Sequence, residues 1–497
     1  MIDAALPELS GRIGQVLDLA PASPAFEFQQ HWHSWGELGA TADAVAAHVE
    51  PGTRVGLMIR NRPAQLGLLL GLLRAGACVV AVNPGRGDDR VRADLADLDL
   101  AILAGGPGDL ALFGAACPAP LRLSSAVLGE VLVEGTVGPS GDDGLSPGVA
   151  VEMLTSGTTG APKRVPLSYD TFLQVLVGAK HYEKDAATDV RLRSGVVIVN
   201  APLVHVGGLF RVLQCVNDGR SFCLLEKFRV DDWADAVRRH RPKTVSLVPA
   251  ALRMVLDADL DPDDLSSLRS VVSGTAPLSP DDADAFFTRY GVPVIISYGA
   301  TEFGGGVAGW NLTDHEAWWA TKRGSVGRAH AGCELRVVDA ETGQPLGVDE
   351  EGLLEVRARQ IGDGTEWTHT TDLARIDADG FLWILGRADQ AIIRGGFKVR
   401  PDDVRAAIES HPGVRGAAVI GVADQRLGEV PVAAVELRDD GGDLTPQLLL
   451  EHLGARLSPY EVPTRITFVD VLPRTDSGKV DLAGVRAVFD QPENPEA

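Results

Sequence analysis

A chain of 497 residues, 45% hydrophobic and 23% charged, has room for about three domain-sized units and the composition of a folded protein, which excludes disorder over most of its length. Its 68 acidic residues outweigh 46 basic ones, for a net charge of −22, so nucleic acid and anionic membrane surfaces are poor partners. The five cysteines (Cys78, Cys117, Cys215, Cys223, Cys333) are odd in number and never spaced C-x-x-C, which excludes a disulfide framework and a cysteine zinc site and fits a reducing cytoplasm.

Met1 to Leu17 has no basic n-region, so no secretory leader is expected. Leu66 to Val82 is the most apolar stretch, but Arg74 interrupts it; it reads as a buried helix and a strand, not a membrane span. Up to about residue 390, apolar β-rich runs alternate with amphipathic ones, the pattern of an α/β fold. Strands are expected at Arg54–Met58, Ala77–Val82, Val149–Leu154, Gly195–Val199, Thr244–Val248, Ser270–Val272 and Pro293–Ile296. Helices are expected at Pro63–Arg74, Asp231–His240 and Asp281–Tyr290, the last behind Ser279 as N-cap and Pro280 in the first turn. Four of the strands run into small polar loops, at Thr155–Gly160, Pro202–His205, Ser273–Pro277 and Ser297–Glu302. Ligands of open α/β sheets sit beyond the carboxyl ends of the strands, so these loops point to one crevice.

After residue 352 the texture changes. Gly352–Arg359 alternates like a half-exposed strand, and Asp379-Gly380 reads as a hairpin turn. Beyond Asp389 an α+β pattern follows, with a capped helix at Pro401–Ser410, strands at Ala417–Val422 and Val432–Leu437, a loop at Pro473–Lys479 and a frayed tail from Gln491. The domains are drawn at 1–388 and 389–497.

The chemistry is concentrated in the loops. Thr155-Ser156-Gly157-Thr158-Thr159-Gly160-Ala161-Pro162-Lys163 offers hydroxyls, a glycine-lined anion nest and a cationic point charge. It is not a Walker A loop, because Lys163 does not directly follow Gly160. Lysine is scarce, eight in all, yet Lys163, Lys398 and Lys479 all sit in glycine-bearing loops. Gly304-x-Gly306-x-x-Gly309 matches a dinucleotide pattern literally, but no helical pattern is read after Trp310, and that reading is rejected.

The phosphate-like loop resembles that of the adenylate-forming superfamily, which includes acyl-CoA synthetases, firefly luciferase and peptide synthetase adenylation domains. Further matches follow in family order: Gly274-Thr275-Ala276-Pro277, then Tyr298-Gly299-Ala300-Thr301-Glu302, then Thr371-Asp372-Leu373 with Gly386-Arg387. Arg394-Gly395-Gly396-Phe397-Lys398 and Pro473–Lys479 complete the series. The resemblance implies a large N-terminal domain of α/β sheets with a small β-barrel-like part, and a small mobile α+β C-terminal domain pivoting at Asp389.

It also implies an ATP-dependent ligase that joins a carboxylic acid to coenzyme A through an acyl-adenylate. The rival is an enzyme that loads a carrier protein or stops at the adenylate. Under this resemblance Thr155, Ser156, Gly157, Thr158, Thr159, Gly160 and Lys163 hold ATP phosphates. Gly274, Thr275, Ala276, Ser297, Tyr298, Gly299, Ala300 and Thr301 hold the adenine side, and Asp372 and Arg387 the ribose. Glu302 holds Mg²⁺, a hard cation that prefers carboxylate oxygen. Lys479 is the catalytic cation.

His205, with Gly207 and Gly208, is placed near the acyl group, and a packed core histidine is the alternative. Gly299, Gly304, Gly305 and Gly306 are read as leaving space for a bulky acid, a flexible glycine loop being the alternative. Arg394, Gly395, Gly396 and Lys398 are read as meeting CoA, or else as a solvated basic face. One departure is visible: Thr371 stands where relatives usually carry glycine. No Asp occurs between His205 and Asp218 to hold an ammonium, which disfavours amino-acid activation. Fatty, aromatic and polyketide-like acids all stay open.

Overall fold

The computed structural model describes residues 6–136, 145–155, 163–180, 190–438, 444–475 and 478–490. A seven-stranded sheet runs in the spatial order Leu132–Gly135, Leu121–Ser124, Ile102–Gly105, Arg54–Met58, Cys78–Val82, Val149–Thr155, Lys163–Ser168. Its centre is parallel and both edge pairings are antiparallel. Helices cover both faces of a parallel sheet, so its central strands are apolar throughout; every residue of Cys78–Val82 is buried. The Pro63–Arg74 helix starts on a first-turn proline, which loses no intrahelical bond there, and buries ten consecutive residues, Ala64 to Leu73.

A second sheet joins Arg193–Val199, Arg220–Leu224, Pro24–Phe28 and His31–Ser34. The third, in the order Thr244–Ser246, Ser270–Ser273, Val294–Ala300, Gly305–Gly309, Arg328–Ala329, begins parallel and turns antiparallel at its third strand. The helices Val230–His240, Pro249–Asp257 and Pro280–Tyr290 cover one of its faces. Ser279 caps the last of these through the Asp281 amide.

Four expectations are corrected. The part expected to resemble a barrel is an open four-stranded antiparallel sheet, Cys333–Val338, Gly352–Ala358, Thr368–Ile376 and Leu382–Arg387. The strand expected to stop at Ile296 continues to Ala300, because Gly305–Gly309 folds back and supplies its ladder bonds. A helix does follow Trp310, over Leu312–Lys322, with the Asn311 side chain accepting from Asp314 N–H. The dinucleotide pattern still fails, because its glycines lie in a strand rather than in a turn before that helix. The Pro401–Glu409 helix carries no side-chain cap; proline at its first turn takes that place.

The small C-terminal sheet is built on Val414–Asp424 and Gly428–Leu437. Strand alternation sends Ala417 and Val419 into one apolar cluster and Ala418 and Ile420 into another. Ion pairs tie this part to the large one. Arg253 reaches Asp282 at 2.6 Å and Glu409 at 3.6 Å, and Arg400 reaches Glu351 at 2.6 Å.

Candidate active site

Parallel pairing brings Ser270–Ser273 beside Val294–Ala300, so the turn after Ser273 meets the chain at Ser297. A Cβ on Gly274 would lie 2.6 Å from the Ser297 carbonyl oxygen, so only glycine fits. Thr275 takes φ +71, a left-handed conformation rare for a β-branched residue. The Ser273 hydroxyl is buried with no partner among the described residues. Strain and an unsatisfied buried donor mark functional loops more often than plain turns.

The strand then carries Tyr298, Gly299 and Ala300 into the 3₁₀ turn Thr301–Phe303, which presents Glu302 to solvent. The Tyr298 hydroxyl donates to Asp372 Oδ2. Asp372 faces Arg387 across the ladder between Thr368–Ile376 and Leu382–Arg387. Burial raises the Asp372 pKa above the ordinary carboxylate value, against the Tyr298 hydrogen bond and the Arg387 charge. Burial, with Asp372 beside it, also pushes the Tyr298 phenol up, so it stays a donor. Arg387 grips Asp389 at 3.0 and 2.8 Å and donates to the Thr371 hydroxyl at 2.7 Å.

Lys479 comes from the other end of the chain. Its loop is pinched by Thr475 N–H to the Lys479 carbonyl, 2.7 Å, and a Cβ on Gly478 would touch Val248 at 3.4 Å. The side chain keeps exposed surface, yet crowding by protein lowers its pKa; Glu302 opposes that shift and Arg387 adds to it. Glu302, Arg387 and Lys479 therefore share one space, although Glu302 and Lys479 are far apart in sequence.

Lys163 opens the strand Lys163–Ser168, paired opposite Thr155, and is exposed. Ser156, Gly157, Thr158, Thr159 and Gly160, like 476–477 and the tail from 491, lie outside the described residues. His205 is the N-cap of the Val206–Asn217 helix and is half-buried.

At Gly304–Gly306 packing leaves no room for a side chain. A Cβ at Gly304 would meet Thr171 at 2.5 Å, at Gly305 Val175 at 2.7 Å, and at Gly306 the Ser297 hydroxyl at 2.7 Å with His330 behind it at 3.4 Å. These glycines let the Tyr169–Lys180 helix and the neighbouring strand approach closely.

The Arg394–Lys398 segment is a hairpin turn, with Gly395 and Gly396 at φ +57 and +89. Arg394 is spent on the carbonyls of Tyr460, 2.8 Å, and Val462, 3.0 Å, while Gly395, Gly396 and Lys398 are exposed. No described contact brings this turn to Glu302 and Lys479. Sequence reasoning missed two groups, the Thr371 hydroxyl on Arg387 and His330 behind Gly306. Thr371 was visible as a departure from the family pattern, but His330 gave no signal.

Elsewhere Glu27, Cys223 and His240 place ligand atoms within 4.8 Å of one another. Arg239 already sits 2.7 Å from Glu27 and supplies the cation, so this is an ion-paired cluster.

The geometry agrees with what comparison finds. The model of the AMP-binding enzyme matches residues 16–364, and that of its C-terminal domain matches 403–479. The chain belongs to the AMP-binding enzyme family. It is 32% identical to feruloyl-CoA synthase of Amycolatopsis sp over 465 residues, 89% of this chain and 90% of that one. It is 30% identical to indoleacetate–CoA ligase of Aromatoleum aromaticum, over 96% of this chain and 98% of that one. ATP-bound MatB from Rhodopseudomonas palustris superposes with a TM-score of 0.80 at 26% identity, covering 98% of this chain and 99% of that one. The amide bond synthetase McbA from Marinactinospora thermotolerans gives 0.79, also at 26%, covering 97% and 99%. Members of the AMP-binding enzyme family work through acyl-adenylates, and no helix among the described residues of this one is long and apolar enough to cross a membrane.

Proposed function

We propose that this member joins a carboxylic acid to coenzyme A at the expense of ATP, and that the acid is aromatic. The observation that carries the reading is the convergence of Glu302, Asp372 with Arg387, and Lys479 on one space. The aromatic acids in the names of the relatives support the acid class.

The acid carboxylate attacks the α-phosphorus of ATP, and the bond to pyrophosphate breaks. Negative charge grows on the phosphoryl oxygens, and the Lys479 ammonium is the cation placed to stabilise it. The Asp372 carboxylate has Oδ2 occupied by Tyr298 and Oδ1 open to ribose hydroxyls. The exposed Glu302 carboxylate suits Mg²⁺, which would neutralise phosphate charge. The CoA thiol, as thiolate, then attacks the acyl carbon, and AMP leaves.

Glu302 acts on the charge of Lys479, and in this reading a rotation of 389–497 about Asp389 exchanges Lys479 for the Gly395-Gly396 turn between the two steps. Asp389 lies in the 3₁₀ turn Ala388–Gln390, directly after the ribose-side Arg387. The exposed Gly395, Gly396 and Lys398 would then meet CoA.

The test is a panel of carboxylic acids with MgATP, following pyrophosphate without CoA and AMP with it. Pyrophosphate release that needs an aromatic acid, and AMP release that needs CoA, is the expected result. AMP release indifferent to CoA would move the acceptor to a carrier protein or another nucleophile. No pyrophosphate with any acid would end the reading.

A further inference from the structure

The Val206–Asn217 helix buries Leu209, Val212, Leu213 and Val216 in the main core. Another side of the helix carries Gly207, Arg211 and Gln214, spaced four and three residues apart and so stacked along one stripe. Among the described residues no atom lies within 4 Å of a Cβ built on Gly207, which is exposed. The helix also packs against the Gly305–Gly309 strand, which follows Glu302.

Arg211 donates from Nη1 to Gln214 Oε1 at 2.9 Å and from Nη2 to Ser246 Oγ at 2.7 Å. Val245 and Leu247 enter the core under the covering helices, so alternation turns Ser246 to the opposite face of the sheet. Its neighbours in register, Val272 and then Ile295, share that face. Ser297, two residues on, continues the row, with its hydroxyl 2.7 Å from where a Gly306 Cβ would be. Ser246, Val272, Ile295 and Ser297 thus share one face of the third sheet, which leads from Arg211 toward the strand behind Glu302.

Among the described residues Arg211 is paired, like Arg122, Arg394 and Arg474, with neutral acceptors only. Arg54, Arg164 and Arg253 also point inward, and each holds a carboxylate: Glu152 at 2.9 Å, Asp94 at 2.7 Å and Asp282 at 2.6 Å. Arg211 has two neutral acceptors and no carboxylate among the described residues. A guanidinium has five N–H donors, so three stay available. Enclosure lowers the Arg211 pKa, with only Cys215 opposing. Arg211 is nevertheless half-buried rather than sealed, so water reaches it and a ligand carboxylate can too.

We propose that Arg211 is an anion clamp at the far end of the acid-binding space, so that the acid this chain activates carries a second carboxylate. The proposal rests on the ligase reading for which carboxylate reacts. Six residues of helix from His205 to Arg211 rise about 9 Å, a span suited to an acid with one aromatic ring between its two carboxylates. Ser246 and Gln214 orient the guanidinium.

The experiment compares cinnamate, 4-carboxycinnamate and the 4-methyl ester of the latter, by pyrophosphate release and by calorimetric binding to the full chain with MgATP. The wild type is expected to favour 4-carboxycinnamate over both others by about 30-fold or more in kcat/KM, the range of a charge-assisted pair. Arg211→Met should erase that preference while leaving cinnamate and the KM for ATP within about threefold. Arg211→Lys should keep part of it. Ser246→Ala, which removes only a hydroxyl, should cut diacid use several-fold and keeps the test open if Arg211→Met does not fold. Equal use of the three acids by the wild type, or a parallel loss on all acids in Arg211→Met, overturns the clamp. Binding separates the two readings. Diacid binding that depends on Arg211 without any pyrophosphate release sinks the ligase reading and keeps the clamp. Diacid binding indifferent to Arg211 sinks the clamp alone.

Discussion

The two ends of the crevice are built by different means. At the nucleotide end the backbone does the shaping. Gly274 clears the Ser297 carbonyl, Thr275 is held at φ +71, and Asp372 and Arg387 face each other across one hairpin. At the proposed acid end the shaping would be done by side chains from elements far apart, such as Arg211 and Ser246, 35 residues from one another. A site made by backbone constraint tolerates few residue types at neighbouring positions, so it is written as a short string. A site lined by side chains leaves single residues inside ordinary amphipathic elements. The first kind fixes the reaction, and the second is free to set the substrate.

Lys479 is the proposed catalytic cation, and its loss should be the largest effect. Lys479→Ala is expected to slow pyrophosphate release about a hundredfold or more, the usual cost of one transition-state donor. ATP affinity should stay within about threefold, and every acid should suffer alike; a loss confined to some acids would put Lys479 in the acid half. Protein crowding depresses the Lys479 pKa below the ordinary 10.5. The charged ammonium is the active form, so activity should fall as pH rises through that lowered value. Lys479→Arg, charged throughout, should remove that limb. A rate profile flat to the ordinary lysine range in the wild type would contradict the placement.

The same contrast explains what could be read in the chain. Pro63–Arg74 was legible because its first-turn proline and unbroken apolar run are local signals. Glu302, Asp372, Arg387 and Lys479 could be proposed from the chain because their motifs are strings. The extension of the third-sheet strand to Ala300 was not, since Tyr298-Gly299-Ala300 becomes strand only when Gly305–Gly309 pairs with it. Gly304 to Gly306 were legible as a feature, and the structure adds a packing reason for them. A run of glycines says that something comes close, and only tertiary structure says that Thr171, Val175 and the Ser297 hydroxyl do. Arg211 gave no signal at all, because an arginine on an amphipathic helix is unremarkable until its partners are counted.

Gly274→Ala tests the claim that the nucleotide end is a matter of backbone. The new methyl would sit 2.6 Å from a carbonyl oxygen, so either the turn or the Ser297 strand must move. Overpacking of that kind costs about 1–3 kcal/mol. The KM for ATP is expected to rise about tenfold, while the ranking of acids is kept. A changed ranking at constant KM for ATP would mean that this turn shapes the acid pocket, and the division into two ends would fail.

The smallest expected effect is at Thr371. Its hydroxyl accepts from Arg387 at 2.7 Å, but Arg387 also keeps both bonds to Asp389. Removing one of several acceptors on an exposed group falls at the low end of the roughly 0.5–1.5 kcal/mol of a typical hydrogen bond. Thr371→Ala should therefore raise the KM for ATP about two- to threefold and leave the melting temperature and the acid ranking unchanged. The value of so small a change lies in where it appears. Arg387 borders both the ribose side and the Asp389 segment, so releasing it could act on nucleotide binding or on domain rotation. Single-turnover adenylate formation and transfer to CoA, measured separately at saturating ATP, tell these apart. If saturating ATP restores both rates, Thr371 serves the nucleotide end alone. If the transfer step alone stays altered, the Thr371–Arg387–Asp389 chain belongs to the hinge, and the nucleotide end is coupled to the rotation that follows it.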